Sequence, residues 1–166
     1  AWPQEAEGTL LIVGSCSDEV RAAIASRTED LDASRIRVVD EVVDARTYST
    51  AFQACDIVTA CYPQHFGASG ILLSAIQMER PIFGSNYGYI GDCIRSFGLG
   101  VEVDCRDSEA LATALRKALQ RPPTMDPVRS RPFLDFHTAE SFRRHVQMLV
   151  VGATSDGIDP PPPPRP

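Results

Sequence analysis

The part of this sequence best suited to chemistry is a glycine-bearing turn between an apolar strand and an apolar helix. Gly67 and Gly70 lie in the turn, where they allow backbone angles that a side chain would forbid and let a ligand approach the main chain closely. The helix is predicted to begin near Ser69. Amides in the first turn of a helix lack helical partners and carry the positive end of its dipole, so they bind phosphate readily. The pattern predicts a phosphate site at the N–H groups of Ser69, Gly70 and Ile71. The spacing is not that of a dinucleotide fingerprint, however, and many such turns bind nothing.

Two other features bear on a site at this turn. A second glycine turn spans residues 86–91, after the next predicted strand, and is expected at the same edge of the sheet. His65 stands beside the first turn, where it could hydrogen-bond a bound group, and a loop histidine without a role is an equal alternative. The segment Gly14-Ser-Cys-Ser17 resembles a nucleophile turn only superficially, because no histidine base can be identified for it. Cys16 is therefore interpreted as structural.

Composition narrows the class of protein. With 166 residues, of which 43% are hydrophobic and 23% charged, the chain fits one soluble globular domain with a sizeable core. A net charge of -6 argues against nucleic acid or an anionic membrane as the main partner. The sequence contains no signal peptide and no apolar run near the length of a membrane span. Its motifs require no metal, and no cofactor is predicted.

The cysteines are scattered and include no C-x-x-C pair. Five cysteines without metal-ligand spacing predict free thiols in a reducing compartment, which favours a cytoplasmic location. They lie at Cys16, Cys55, Cys61, Cys93 and Cys105.

Five short apolar segments alternate with helical patterns along the chain. This order predicts an α/β domain with a Rossmann-like, doubly wound parallel sheet of about five strands and helices on both faces. Ligands of such sheets collect at the carboxyl ends of the strands, where both glycine turns should lie. The first strand is apolar throughout and is expected to be covered on both faces. The predicted strands are residues 9–13, 35–39, 56–60, 81–84 and 99–103.

Several residues mark the ends of helices. Ser17, Asp44 and Asp107 are predicted N-caps, and Thr138 is predicted to begin the last helix. The proline-rich, basic segment 121–132 is interpreted as a loop. The first helix is expected to turn an apolar stripe inward, formed by Val20, Ala23, Ile24 and Leu31.

The chain is predicted to form one Rossmann-like domain over residues 1–152. Residues 153–166 form a proline-rich tail, interpreted as an unstructured end, with a proline-recognition ligand as the alternative. The helix over residues 71–78 is apolar on nearly every side, and a helix of this kind is normally buried all round. Either neighbouring segments cover it, or a second domain does. In the second case the isolated chain would self-associate through this helix.

The order of these segments resembles the C-terminal half of the retaining GT-B glycosyltransferases, and most closely the family called group 1. The resemblance extends from residue 10 to about residue 120. It rests on five segments at the right spacing: His65-Phe-Gly-Ala-Ser-Gly-Ile-Leu-Leu-Ser-Ala, Glu79-Arg-Pro-Ile-Phe-Gly-Ser, Tyr87-Gly-Tyr-Ile-Gly, Phe97-Gly-Leu-Gly-Val-Glu-Val, and Asp107-Ser-Glu-Ala-Leu-Ala-Thr-Ala-Leu.

The resemblance implies a nucleotide-sugar donor site at the first glycine turn. Residues 67–71 would hold the donor diphosphate, namely Gly67, Ala68, Ser69, Gly70 and Ile71. In the family, an acidic pair spaced E-x7-E brackets this turn. The second acid, which holds the ribose, falls here on Ser74. The first, near the transferred sugar, falls around Gln64, His65 or Phe66, since the loop length leaves the register open. His65 is the candidate catalytic residue, with Gln64 and Ser74 at the sugar and ribose. Neither acid position is acidic in this chain, which is a departure from the family pattern.

Three functions fit these features to different degrees. The first is a donor-binding domain for hexosyl transfer to an acceptor, with the missing N-terminal half of the fold as its partner. The family's basic pair and acceptor-binding half do not occur in the sequence, so we expect the chain to be the later part of a longer enzyme. The second is a non-catalytic nucleotide-sugar-binding or interaction domain with a degenerate site. The third is a flavodoxin-like regulatory domain, which the lack of an early aspartate pair disfavours.

Overall fold

The computed structural model describes residues 7–28 and 35–151, in which strands and helices alternate as predicted. The predicted tail, and Leu31 of the predicted stripe on the first helix, lie outside the described residues. The strands are β1 (Leu10–Val13), β2 (Ile36–Val39), β3 (Val58–Ala60), β4 (Ile82–Ser85) and β5 (Gly100–Val103). The helices are α1 (Asp18–Thr28), α2 (Ala45–Ala54), α3 (Gly70–Gln77), α4 (Gly88–Phe97), α5 (Ser108–Gln120), α6 (Pro127–Phe136) and α7 (Ala139–Val151).

All strand pairs are parallel, which confirms the predicted fold class and strand count. The hydrogen bonding nevertheless divides the strands into two sheets, one of β1 and β2 and one of β3, β4 and β5. In the larger sheet Ile82 of β4 lies between Val58 of β3 and Gly100 of β5. Gly100 has no room for a side chain, since a Cβ there would lie 2.1 Å from the carbonyl oxygen of Ile82.

The hydrophobic core lies around the three-stranded sheet. Within the described part of the chain, every buried apolar side chain comes from residue 52 or later. Ile82, Ile90 and Leu99 are fully buried at its centre, and the rings of Phe97 and Phe133 meet there at 5.3 Å. The three-stranded part therefore supplies most of the apolar burial that stabilises the fold.

The N-terminal βαβ unit is less buried than predicted. The residues of β1 are half-buried, whereas the sequence predicted a strand covered on both faces. Val20 of α1 is 43% exposed and Ala23 is exposed, so the predicted apolar stripe does not face a core. The physical reason is that β1 and β2 form a sheet of their own, and its faces receive few apolar side chains.

Helix α3 is covered by neighbouring elements of this chain. Leu72, Ala75 and Ile76 are buried, with relative exposures of 1%, 0% and 0%. Tyr48 of α2 and Leu134 of α6 pack against the same cluster. This burial supports the first alternative, in which neighbouring segments of the chain cover the helix, and self-association through α3 stays a prediction. Exposed apolar side chains of the later helices lie on α7, where Phe142 and Leu149 are 71% and 85% exposed, and on α6, where Val128 is 81% exposed.

The segment predicted as a loop over residues 121–132 contains the start of helix α6. Asp126 caps this helix by accepting hydrogen bonds from the amides of Val128 and Arg129, and Pro127 occupies its first turn. Proline is favoured there because its missing N–H would have no helical partner. Pro132 lies inside the helix. The proline content of the segment favoured a loop, whereas the Asp126–Pro127 capping signal within it predicts the start of a helix.

The predicted N-caps are confirmed. The carboxylate of Asp44 accepts from the amide of Thr47, and that of Asp107 accepts from the amides of Glu109 and Ala110. The hydroxyls of Ser17 and Thr138 accept from amides three residues later in the same way. All five cysteines are free, as predicted. In the described ranges, no helix is long and apolar enough to cross a membrane.

Candidate functional site

The loop between β3 and α3 is held at its start by the carboxyl end of the neighbouring strand, β4. The amide of Tyr62 donates to the hydroxyl oxygen of Ser85 across 3.1 Å, and Ser85 is fully buried at the carboxyl end of β4. The hydroxyl of Tyr87 donates to the carbonyl oxygen of Tyr62, also at 3.1 Å. These bonds hold the loop against the carboxyl edge of the sheet. Sequence reasoning did not single out either Ser85 or Tyr87 as a contact of this loop.

The two glycine turns meet, as predicted. The amide of Tyr89 donates to the carbonyl oxygen of Phe66 at 3.0 Å. Gly88 adopts a φ of 62°, and a Cβ at this position would lie 2.9 Å from the Cα of Phe66. Only glycine allows both this backbone conformation and this approach. The turn before α4 thus supports the loop before α3.

His65 has a defined orientation in the loop. Its Nε2 lies 3.1 Å from the carbonyl oxygen of Ala68, and its ring meets that of Tyr62 edge-on at 5.5 Å. A carbonyl oxygen only accepts, so Nε2 carries the hydrogen in this arrangement. In the neutral ring Nδ1 is then an acceptor. The side chain is exposed, and it can accept a hydrogen bond from a hydroxyl group at the site.

The start of helix α3 is not capped by a side chain. Ser69 is the N-cap residue, its hydroxyl makes no capping hydrogen bond, and its carbonyl oxygen accepts from the amide of Leu72 at 3.1 Å. The amides of Gly70 and Ile71 precede the first helical hydrogen bond. They are the donors that a helix start offers to an anion.

The glycines of this turn do not use the backbone conformations that glycine alone allows. Neither Gly67 nor Gly70 has a positive φ, so neither is required by the backbone. A Cβ at Gly70 would have no atom within 4 Å, and one at Gly67 would only touch the ring of His65 at 3.7 Å. The freedom that glycine allows is therefore not used at either position. Beside Gly70, the space into which a Cβ would project is open among the described residues.

The remaining predicted residues lie at two depths. Gln64 and Ala68 are exposed in the loop. Ser74 lies in the second turn of α3 and is half-buried, and the hydroxyl of Tyr48 donates to its Oγ at 3.1 Å. Tyr48 belongs to α2, and no local signal in the sequence predicts this contact.

An arginine side chain, that of Arg106, lies close to the second glycine turn, residues 86–91. The guanidinium of Arg106 stacks over the ring of Tyr87 at 4.3 Å and donates to the carboxylate of Asp104 at 2.9 Å. The hydrogen bonds from Arg106 hold the pKa of Asp104 below its ordinary value. The arrangement neutralises this carboxylate and keeps an arginine beside the Tyr87–Phe66 ring pair, whose centroids are 6.0 Å apart.

The cysteine-bearing turn after β1 is structural, as interpreted from the sequence. The amide of Cys16 donates to Asp40 at 2.7 Å, and Arg21 donates to the same carboxylate at 2.6 Å. The Cys16 thiol lies 3.6 Å from the carbonyl oxygen of Gly14.

Near the glycine turns, burial and the neighbouring Cys105 raise the pKa of the Cys61 thiol, so it is not a nucleophile at neutral pH.

The site is an open surface at the sheet edge. A groove of about 1010 Å³ lies elsewhere, between α5 and residues 121–124, and includes none of the predicted site residues. Among residues 7–28 and 35–151, no group of three or more His, Cys, Asp or Glu side chains is placed to hold a metal ion.

Comparisons with known proteins agree on one family and one fold. A family model described as "Glycosyl transferases group 1" matches residues 1–121. AviGT4, a glycosyltransferase involved in avilamycin A biosynthesis, aligns with a TM-score of 0.65 and 18% identity, covering 87% of this chain and 44% of its own. WaaG, a glycosyltransferase involved in lipopolysaccharide biosynthesis, aligns with a TM-score of 0.61 and 22% identity, covering 87% and 38%.

The chain spans less than half the length of these two solved structures. At identities of 18% and 22% the likeness shows a shared fold. No curated protein matches the sequence.

Proposed function

The chain belongs to the group 1 glycosyltransferases, and from that membership we propose that it binds a nucleotide-diphospho-sugar as the donor for hexosyl transfer. The observation that carries this proposal is the open start of helix α3. The N-cap hydroxyl of Ser69 makes no capping bond, and nothing occupies the space beside Gly70. The amides of Gly70 and Ile71 are assigned to the donor diphosphate, together with the preceding residues Gly67, Ala68 and Ser69. The proposal includes no metal ion and no cofactor.

The sugar is assigned to the loop that precedes these amides. Gln64 and His65 are exposed there, and the bond from His65 to Ala68 leaves Nδ1 as an acceptor for a sugar hydroxyl. His65 has no carboxylate charge with which to stabilise an oxocarbenium-like sugar. Its assigned role is therefore to orient the donor, and the family match supports a site at this loop.

Departure of the nucleoside diphosphate is the step that the helix start would assist. As the bond to the anomeric carbon breaks, negative charge accumulates on the diphosphate, and preorganised N–H donors lower the barrier most when they are aimed at developing charge. We assign acceptor binding to a further domain of a longer parent protein. Transfer by that protein is proposed to retain the configuration at the anomeric carbon, as the resemblance to the retaining enzymes implies. Without that domain the chain should bind the donor and transfer no sugar. Positioning of the acceptor alone lowers the reaction barrier by about 7 kcal/mol or more.

Amide chemical shifts test donor binding directly. Titration of the chain with UDP, GDP and ADP should shift the resonances of residues 64–74 and 86–91 for at least one nucleotide. Residues 115–120, in the C-terminal half of α5, serve as the internal control and should not shift. An absence of shifts in both segments at millimolar nucleotide would disprove donor binding by this chain.

One observation favours a second candidate, a nucleotide-sugar-binding domain without catalytic activity. The second position of the family's acidic pair holds Ser74, and the first falls on Gln64, His65 or Phe66, so the charge-assisted contacts of the pair are absent. Transfer from radiolabelled nucleotide sugars by the longer parent protein separates the two. Turnover supports the enzyme, whereas donor binding without turnover, tested against a broad set of acceptors, supports the second candidate.

A further inference from the structure

Two cysteine thiols meet at the carboxyl edge of the three-stranded sheet. Cys61 follows β3 and Cys105 follows β5, and both side chains are half-buried. The hydroxyl of Ser85, at the end of β4 between them, donates to the sulfur of Cys105 at 3.5 Å. The same oxygen accepts from the amide of Tyr62, the residue after Cys61, at 3.1 Å. One buried serine thus joins the start of the candidate donor loop to the turn that holds Cys105.

The packing around the two sulfurs places them together. Both cysteine side chains lie against the same apolar cluster, which contains the buried side chains of Phe83 and Val103. The Cys61 thiol donates to the carbonyl oxygen of Phe83 at 3.6 Å, and the Cys105 thiol donates to that of Val103 at 3.7 Å. The two thiols also interact with each other. The fold therefore brings together two cysteines that the sequence leaves far apart.

The two thiols are suited to different steps of an oxidation. Burial, and after it the neighbouring Cys105, raise the pKa of the Cys61 thiol, so Cys61 stays protonated in the reduced chain. Cys105 is partly exposed in a turn and carries the hydrogen bond from Ser85, so it is the cysteine that an oxidant meets first. Cys61 is then placed to resolve the oxidised Cys105.

We propose that Cys61 and Cys105 are a redox-active pair, which a peroxide converts into a disulfide. The Cys105 thiolate attacks the peroxide, so that an S–O bond forms, the O–O bond breaks and hydroxide leaves. The Cys61 thiol then attacks the sulfur of this sulfenic acid, and the S–S bond forms as the hydroxyl group leaves with the thiol proton as water. In total, two thiols and one hydrogen peroxide give one disulfide and two waters.

The disulfide would move the start of the candidate donor loop. Both sulfurs must leave their carbonyl acceptors, and Ser85 loses the sulfur to which it donates. Because the two cysteines follow strands on opposite sides of β4, the bond draws the backbone at Tyr62 towards the end of β5. The hydrogen bond from Tyr62 to Ser85, which holds the loop, should weaken as a result. An effect on nucleotide binding rests on the proposed donor site.

Peptide mapping tests the disulfide itself. An aspartate lies between each cysteine and the next, so a protease that cleaves before aspartate places the five cysteines on five separate peptides. The reduced chain is treated with hydrogen peroxide, its remaining thiols are blocked, and the monomer is isolated without reductant. Peptide 56–91 should be joined to peptide 104–106, and dithiothreitol should separate them. If this linkage is absent from the monomer, or occurs only in a dimer, the proposal is overturned.

Three variants test the assigned order. Cys61→Ser should stop at the sulfenic acid of Cys105, which dimedone traps with a defined gain in mass, and Cys105→Ser should leave Cys61 as a thiol. Cys16→Ser is the matched control and should form the disulfide normally, because the Cys16 thiol lies on the carbonyl oxygen of Gly14 in the N-terminal unit. Cys61→Ala repeats the test if Cys61→Ser does not fold. Peroxide oxidation of Cys61 in Cys105→Ser would contradict the order.

Amide resonances and nucleotide titration measure the effect on the loop. Oxidation should displace the resonances of Tyr62 and residues 64–70. It should also weaken binding of the best ligand among UDP, GDP and ADP roughly three- to tenfold, as expected for one lost neutral hydrogen bond. Cys61→Ser should show neither response. A disulfide with unchanged resonances and affinity overturns the link to the loop and leaves the donor site standing. If the reduced chain binds no nucleotide, the proposed function fails, while mapping and resonances still decide the disulfide.

Discussion

The amide of Tyr89 donates to the carbonyl oxygen of Phe66 across 3.0 Å, so helix α4 begins on the loop that leads into helix α3. The candidate donor loop is thus positioned by strand β4 and by the turn that follows it. Ser85 at the end of β4 holds its start through Tyr62, and the turn before α4 holds its middle. Any change that moves the second glycine turn should move the candidate site with it.

Gly88→Ala should disturb this support. Its φ of 62° is unfavourable for alanine, and the added Cβ would lie 2.9 Å from the Cα of Phe66. We expect a loss of roughly 1–3 kcal/mol in the free energy of unfolding, measured by urea denaturation, together with displaced amide resonances for residues 64–70. Gly67→Ala is the control for stability, since a Cβ there meets only His65 atoms at 3.7 Å. Equal losses in the two variants would contradict this account.

Gly70→Ala should separate folding from binding. The position has no positive φ, and a Cβ added there would have no atom within 4 Å, so alanine should fold with an unchanged or slightly higher melting temperature. The added methyl group would stand beside the α3 amides and hinder approach of a diphosphate. The expected result is weaker nucleotide binding in calorimetric titration at undiminished stability. Unchanged affinity would show that the diphosphate does not lie against Gly70.

Glu79→Gly should stabilise the protein. Glu79 follows helix α3 with a φ of 56°, the one non-glycine residue with positive φ in the described ranges. A side chain in this left-handed conformation costs on the order of 1 kcal/mol, and glycine is the residue that helices favour there. We expect an increase of about 1 kcal/mol in unfolding free energy by urea denaturation. Glu79→Ala keeps the Cβ and should give no such gain, and a similar gain in both variants would assign the effect to the lost charge.

Folding of the N-terminal unit should depend on pH through Asp40. The hydrogen bond from Arg21, followed by that from the Cys16 amide, holds the pKa of Asp40 below its ordinary value. A lowered pKa means that the carboxylate contributes stability above the unfolded value, about 3.9, and that this contribution is lost as pH falls through the folded value. An NMR titration of the Asp40 carboxyl should show the lowered pKa, and Arg21→Ala should raise it. An identical Asp40 titration in the two proteins would refute the pairing.

Local signals predicted the elements well. Asp44 and Asp107 are followed by apolar residues at helical spacing, and both cap helices as expected. The strands were equally clear because each is a short, mainly apolar segment bounded by turns or helices. Helix α6 was missed because proline content was given more weight than the Asp126–Pro127 capping signal, although that signal is itself local.

Long-range relationships could not be predicted in the same way. The contact of Tyr48 with Ser74 spans 26 residues and follows from the packing of two helices. The periodicity of a sequence predicts single helices and does not predict which of them pack together. The separation of β1 and β2 from the other strands is likewise a matter of tertiary hydrogen bonding. The predicted site residues share one sheet edge because parallel strands place their carboxyl ends together, and their roles remain predictions that require a bound nucleotide to test.

The division of the strands into two sheets has a consequence for hydrogen exchange. In the described residues no ladder bond joins β1 to β3, and the buried core begins only at Phe52. Segments with few buried contacts open at lower free energy than the rest of a protein. Amides of β1 and β2, such as those of Ile12 and Val38, should therefore exchange through a partial opening that leaves Phe83 and Val101 protected in the three-stranded sheet. The N-terminal βαβ unit would then be the first cooperative unit to unfold and the last to form.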